Sequence, residues 1–215
     1  MIRHIALYAA LTLIAVPGIA LSETAHGWIS SGLGMEVRAV RVAGWHPVGG
    51  QLYATDAITL WQAEGPGLTI PDQEAGVTGY IDAETGRTAA LALIWSADPV
   101  ACGEDLASAG IDTGTFAFLT PADAAALDAY ADPSMGTYHG TYADQLDATV
   151  PTIPFMATLP DGTTFPATGS GWGDGGYPVA SLIDAEGDTV ALYVQFMGGD
   201  EDWLLPPPCA PDPNS

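Results

Sequence analysis

Two distant segments of the chain carry nearly the same pattern. Ile81–Trp95 reads IDAETGRTAALALIW and Ile183–Phe196 reads IDAEGDTVALYVQF. In each, an acidic, glycine-containing turn is followed by apolar residues rich in strand formers. This is the signature of a β-hairpin, in which Asp supplies a side-chain acceptor and Gly a positive-φ position. The first hairpin is expected to pair Val77–Ile81 with Thr88–Trp95, and the second Tyr177–Ile183 with Thr189–Phe196. The echo has two explanations: a duplicated β unit, or shared turn chemistry in an acidic protein.

The remaining sequence follows the same grammar. Met35–Val42 alternates in strand fashion, Gln51–Thr55 and Ile58–Gln62 form short strands around Asp56, and Ile153–Leu159 and Thr163–Pro166 flank a Pro160-Asp161-Gly162 turn. Ile29–Gly34 and Glu64–Asp72 read as loops. One helix is well marked: Thr120 as N-cap, Pro121 at N1 and Asp123 at N3, with Asp132-Pro133 as its stop. Thr141–Thr149 is a second, shorter helical stretch. With 26 Gly, 17 Pro and only 14% charged residues, the composition favours short strands and many turns. The expected fold is mainly β, an antiparallel sandwich or rolled sheet with one or two short helices inserted near residues 120–148. An α+β arrangement is the alternative.

The N-terminus reads as an export signal. Met1–His4 is basic, Ile5–Val16 is an apolar run, and Ala20-Leu21-Ser22 offers small residues for cleavage after Ser22. The run falls short of the roughly 20 apolar residues that a membrane span needs. The expected organisation is a signal peptide over 1–22, one β-rich domain over 23–203, and a Pro-rich tail over 204–215. The destination is the periplasm or the medium, without membrane insertion.

Beyond the signal there is no Lys, and three arginines (Arg38, Arg41, Arg87) face 26 acidic residues, a formal charge of −23. A field of that sign argues against nucleic acid as a partner and keeps the protein soluble in salt. Cys102 and Cys209 are the only cysteines. In an oxidising compartment they are expected to form a disulfide that tethers the tail.

Two segments carry a resemblance. Gly110–Phe118, GIDTGTFAF, resembles a G-x-D-x-G-x-x-x-F motif, and Gly171–Val179, GWGDGGYPV, resembles a G-x-G-D-G-x-Y-P-V motif. Both belong to an uncharacterised bacterial family, a domain of unknown function found in actinobacteria and proteobacteria. The resemblance spans roughly Val42–Met197. The chain departs from the family at Asp56-Ala57, where Asp-Pro is usual, and at Ala75-Gly76-Val77, where a basic residue and Tyr-Pro-Val are usual. The resemblance implies a domain boundary and no activity.

The candidate site is the glycine-rich loop Gly169–Gly176. Glycine allows close backbone approach to a ligand. Asp174 can accept from a ligand hydroxyl, and Trp172 offers a stacking face. The competing assignment, the commoner one for Asp beside Gly, has Asp174 capping the turn and Trp172 in the core. Asp112 has the same two possibilities, ligand contact or a cap on its own backbone. Tyr177 completes the candidate set of Asp112, Trp172, Asp174 and Tyr177, and Trp203 is a possible extension. No cofactor is called for. Asp184–Asp188 and Gly199–Asp202 are carboxylate clusters that suit Ca²⁺ in residue type, but neither has the twelve-residue loop spacing. No H-E-x-x-H or G-x-S-x-G motif occurs, and no catalytic residue is assigned. The favoured function is a non-enzymatic module binding an unknown protein or small ligand. The alternatives are a hydrolase using a carboxylate pair such as Asp112 and Asp174, and a structural envelope protein without a concave site.

Overall fold

The computed structural model describes residues 23–59, 67–130, 143–198 and 203–210. The proposed signal peptide, His139 and Gly199–Asp202 lie outside the described residues. The elements in chain order are α1 (Ala25–Gly32), β1 (Val37–Trp45), β2 (Gln51–Asp56), β3 (Leu68–Thr69), β4 (Ala75–Asp82), β5 (Thr88–Ile94), β6 (Cys102–Ile111), β7 (Thr115–Leu119), α2 (Pro121–Ala129), α3 (Ala143–Leu146), β8 (Phe155–Thr158), β9 (Thr164–Gly169), β10 (Gly175–Ile183) and β11 (Thr189–Gln195). The strands form two antiparallel sheets, ordered β1-β4-β5-β11-β10-β6 and β3-β2-β7-β9-β8, which do not close into a barrel. The fold is therefore mainly β. Among the described residues, no helix is long and apolar enough to cross a membrane.

The two echoed hairpins occupy equivalent places in the six-stranded sheet. β5 pairs with β11 at its centre, β4 and β10 flank them, and β1 and β6 are the edges. Both turns are capped by their first Asp, although the second is one residue shorter. Asp82 accepts from the backbone N–H of Glu84 and Thr85, and Asp184 accepts from Glu186 and Asp188. The sequence echo thus corresponds to a structural repeat about the β5–β11 seam.

The core lies between the sheets. Phe116 of β7 meets Phe196, just past β11, with ring centroids 5.2 Å apart. Trp45 Nε1 donates across to Thr164 O at 3.1 Å. β5 and β11 are buried on both faces because α1 and the C-terminal segment cover the other side of their sheet. His26 of α1 stacks on Tyr80 and Trp28 packs on Tyr193. Tyr193 donates its hydroxyl to Leu204 O, and Leu204 N donates to Gln195 Oε1. Cys102 and Cys209 are disulfide-bonded, and Gly103 N donates to Pro207 O at 2.9 Å, so the tail is laid along the β6 edge.

Several expectations need correction. Glu64–Asp72 is not wholly a loop, because Leu68–Thr69 forms β3 against β2. Ile29–Gly34 is not simply a loop, because Ala25–Gly32 is helical. Thr24 caps the helix and Ala25 and Ile29, one turn apart, are buried. Burial here overrides weak helix propensity. Ile58 and Thr59 do not start a strand, since both donate their N–H to Asp56 Oδ1, which turns the chain at the end of β2. Residues 60–62 of that expected strand lie outside the described residues. The inserted helices are α2, with the expected Thr120/Asp123 capping box, and a single turn at α3, so α1 makes a third helix outside the insertion.

Candidate functional site

The site is built by two chain crossings. Asp112-Thr113-Gly114 carries the chain from β6 in the first sheet to β7 in the second. Ser170–Asp174 carries it back from β9 to β10. Because β6 neighbours β10 and β7 neighbours β9, the two crossings run side by side. Ser170 N donates to Gly114 O at 2.9 Å, which ties them together. The β6–β10 ladder ends at Ile111 opposite Gly175. Asp112 and Asp174 are the next residues outward on the two chains, so the fold brings these acids to the same end of the ladder. Both are exposed.

The first crossing is held by a side chain that sequence reasoning did not single out. Asp56 is fully buried. Its Oδ2 accepts from Asp112 N and Thr113 N, both at 2.8 Å, while Oδ1 accepts from Ile58 N at 2.7 Å and Thr59 N at 3.0 Å. Thr113 Oγ1 lies 2.8 and 2.9 Å from the two carboxylate oxygens. A carboxylate with this many donors is fully compensated despite its burial. Asp56, not Asp112, therefore caps this turn. The Asp112 side chain accepts no hydrogen bond among the described residues.

The second crossing is locked from beneath. Tyr177 is buried, and its hydroxyl donates to Gly173 O at 2.8 Å. Ser170 Oγ donates to the same carbonyl at 2.6 Å. Tyr177 thus supports the loop from inside and is not a free contact surface. Burial raises the Tyr177 phenol above its usual range, and the negative charge of Asp174 adds to the rise. Gly171 and Gly173 have φ of 62° and 100°, the left-handed region that favours glycine. A Cβ at Gly171 would lie 2.5 Å from Thr88 O, so the backbone is close-packed there.

This locking pushes Trp172 outward. Its side chain is 52% exposed, which overturns its assignment to the core. Asp174 caps nothing among the described residues, so the turn-capping assignment fails for it as well. Trp172 borders a cleft of about 270 Å³, also lined by Arg87, Gly114, Pro151, Thr152 and Ser170. Arg87 comes from the β4–β5 turn, and its Nη1 donates to Gly171 O at 3.0 Å. In the sequence Arg87 stands out only by composition, as one of three cations beyond the proposed signal.

Among the described residues, no three His, Cys, Asp or Glu side chains are grouped to hold a metal ion. In the Asp184–Asp188 cluster, Asp184 is spent on capping its hairpin turn. No family model, curated protein or solved structure matches this chain.

Proposed function

We propose that this chain is an exported, non-enzymatic binding module whose contact surface is the paired crossing at Trp172 and Asp174. The observation that carries this reading is the half-exposed Trp172 at the rim of a cleft, held out by a loop whose neighbours are locked. An exposed indole on a rigid support offers a large contact area at little entropic cost. Asp112 and Asp174 add acceptors for ligand hydroxyl or amino groups. The cleft also favours a binding role over a purely structural one. The two segments that resemble the bacterial family contain these two crossings, and the proposal extends to a shared use of this corner.

The test is a thermal melt of residues 23–215 against panels of soluble oligosaccharides and peptides, with and without Ca²⁺. A ligand of the native state adds about 2.7 kcal/mol at a hundredfold excess over its Kd. The rise should vanish in Trp172→Ala while that variant's own melt stays close to wild type. A rise that survives in Trp172→Ala would place the binding surface elsewhere.

The placement of Asp112 and Asp174 at one ladder end also favours a second reading, a hydrolase with a carboxylate pair. A pair working through an acid and a base or nucleophile stands roughly 5–10 Å apart. Hydrolysis of any panel member that is lost in both Asp112→Asn and Asp174→Asn would select this reading.

A further inference from the structure

We infer that the Trp172 cleft recognises a small ligand through a carboxylate, with Arg87 as the anchoring group. This rests on the binding-module reading above and gives it a ligand class.

The first support is the state of Arg87 at the cleft. Among the described residues, the acid–base contact within 4 Å is His46 with Asp72, and Arg87 pairs with no carboxylate. One N–H of its guanidinium is fixed on Gly171 O, which orients the fork. The remaining N–H groups are free for a ligand.

The second support is the balance of donors in the cleft. Ser170 spends its hydroxyl proton on Gly173 O, and Thr152 spends its own on Leu146 O. The Thr88 and Thr168 hydroxyls pair with each other at 2.7 Å. The side-chain donors left at the cleft are the Arg87 guanidinium and the Trp172 indole N–H. Such a cleft selects an acceptor-rich group, and the charge on Arg favours carboxylate over a neutral acceptor.

The third support comes from the repeat. Asp82 N donates to Arg87 O in the first hairpin, and Asp184 N donates to Asp188 O in the second. The second loop is one residue shorter, and it closes with Asp188 where the first closes with Arg87. Closure through a backbone carbonyl uses no side chain, so the first turn does not need arginine for it. The overall charge sets a limit as well: the charge of −23 beyond the signal repels polyanions within the Debye length of roughly 8 Å, so the ligand is a monoanion or a zwitterion. A planar or ring-bearing body would lie against Trp172.

The experiment uses benzoate and its neutral isostere benzamide on the protein of residues 23–215. The readout is the indole N–H resonance of Trp172, assigned by its loss in Trp172→Phe. The expected result is a saturable shift with benzoate and a far weaker one with benzamide. In Arg87→Gln the benzoate affinity should fall about tenfold or more, the loss of one charge-assisted contact, and Arg87→Lys should fall between. Equal response to the two probes, or benzoate binding that persists in Arg87→Gln, overturns the inference and leaves the binding module standing. No response to either probe also overturns it, and the Trp172→Ala panel then decides the broader reading separately. The comparison of the two probes on wild-type protein holds even if an Arg87 variant folds poorly.

Discussion

Asp56 and Thr113 stand 57 residues apart in sequence, yet the Asp56 carboxylate accepts both the backbone N–H and the hydroxyl of Thr113. Through this pair the end of β2 holds the first crossing in place. Asp56→Ala would leave four backbone N–H groups and one hydroxyl without their acceptor in a dry site. The expected loss is about 3–5 kcal/mol, the range for breaking a buried charged network. Asp112→Ala, one residue before Thr113 in the same turn but exposed, should stay within about 0.5 kcal/mol. Urea unfolding of the two variants checks the contrast.

The glycines of the second crossing should differ sharply from each other. A Cβ at Gly171 meets Thr88 O at 2.5 Å and Met197 Cγ at 2.7 Å, in a left-handed backbone. Gly173 is also left-handed, but a Cβ there meets nothing within 4 Å. Gly171→Ala should cost more than about 2 kcal/mol, while Gly173→Ala should cost about 1 kcal/mol, the backbone term alone. Thermal melts give the comparison. Near-equal losses would mean that the Gly171 backbone is not as closely packed as described.

Alkaline pH should unfold the protein through its tyrosines. Burial raises the phenols of Tyr80, Tyr193 and Tyr177 above the usual value of about 10. Below that value these groups are protonated in both folded and unfolded chains, so their contribution is complete and constant. Above it the unfolded chain releases protons while the folded one keeps them, and stability falls. The fall is about 1.4 kcal/mol per pH unit for each tyrosine that stays protonated. Denaturant titrations from pH 8 to 11.5 should show a level region and then this decline. Tyr177→Phe should make the decline shallower.

Much of this architecture could be read before the structure. The hairpin turns were legible because Asp82 and Asp184 act locally, on N–H groups two to four residues ahead. The α2 capping box was legible for the same reason. α1 and β6 were not. α1 is helical because the sheet face beneath it buries Ala25 and Ile29, and β6 has an exposed edge that carries Glu104 and Asp105, which breaks the apolar alternation. At the candidate site, the glycine loop and Asp112 could be picked out as motifs. Asp56 and Arg87 could not, because their roles depend on partners 56 and 84 residues away. Trp172 had two readings, ligand contact or core, and the packing beneath its loop, by Tyr177 and Ser170, turns it outward.

The disulfide should be a large part of the stability. Cys102 and Cys209 are separated by 107 residues. On the chain-entropy model, closing a loop of that size contributes about 4–5 kcal/mol. The double variant Cys102→Ser/Cys209→Ser should therefore unfold at much lower denaturant than wild type. A loss below about 1 kcal/mol would show that the tail contacts at Tyr193 and Gln195 hold without the covalent tie.

The same bond makes the chain a ring with a long N-terminal arm that carries α1 and β1–β5. The ring contains both crossings, Trp172, and every strand from β6 to β11, while Arg87 reaches in from the arm. A protease that cuts once anywhere between 103 and 208 opens the ring but releases no fragment. The nicked molecule keeps its mass and stays covalently one particle, and two pieces part company only when a reductant is added.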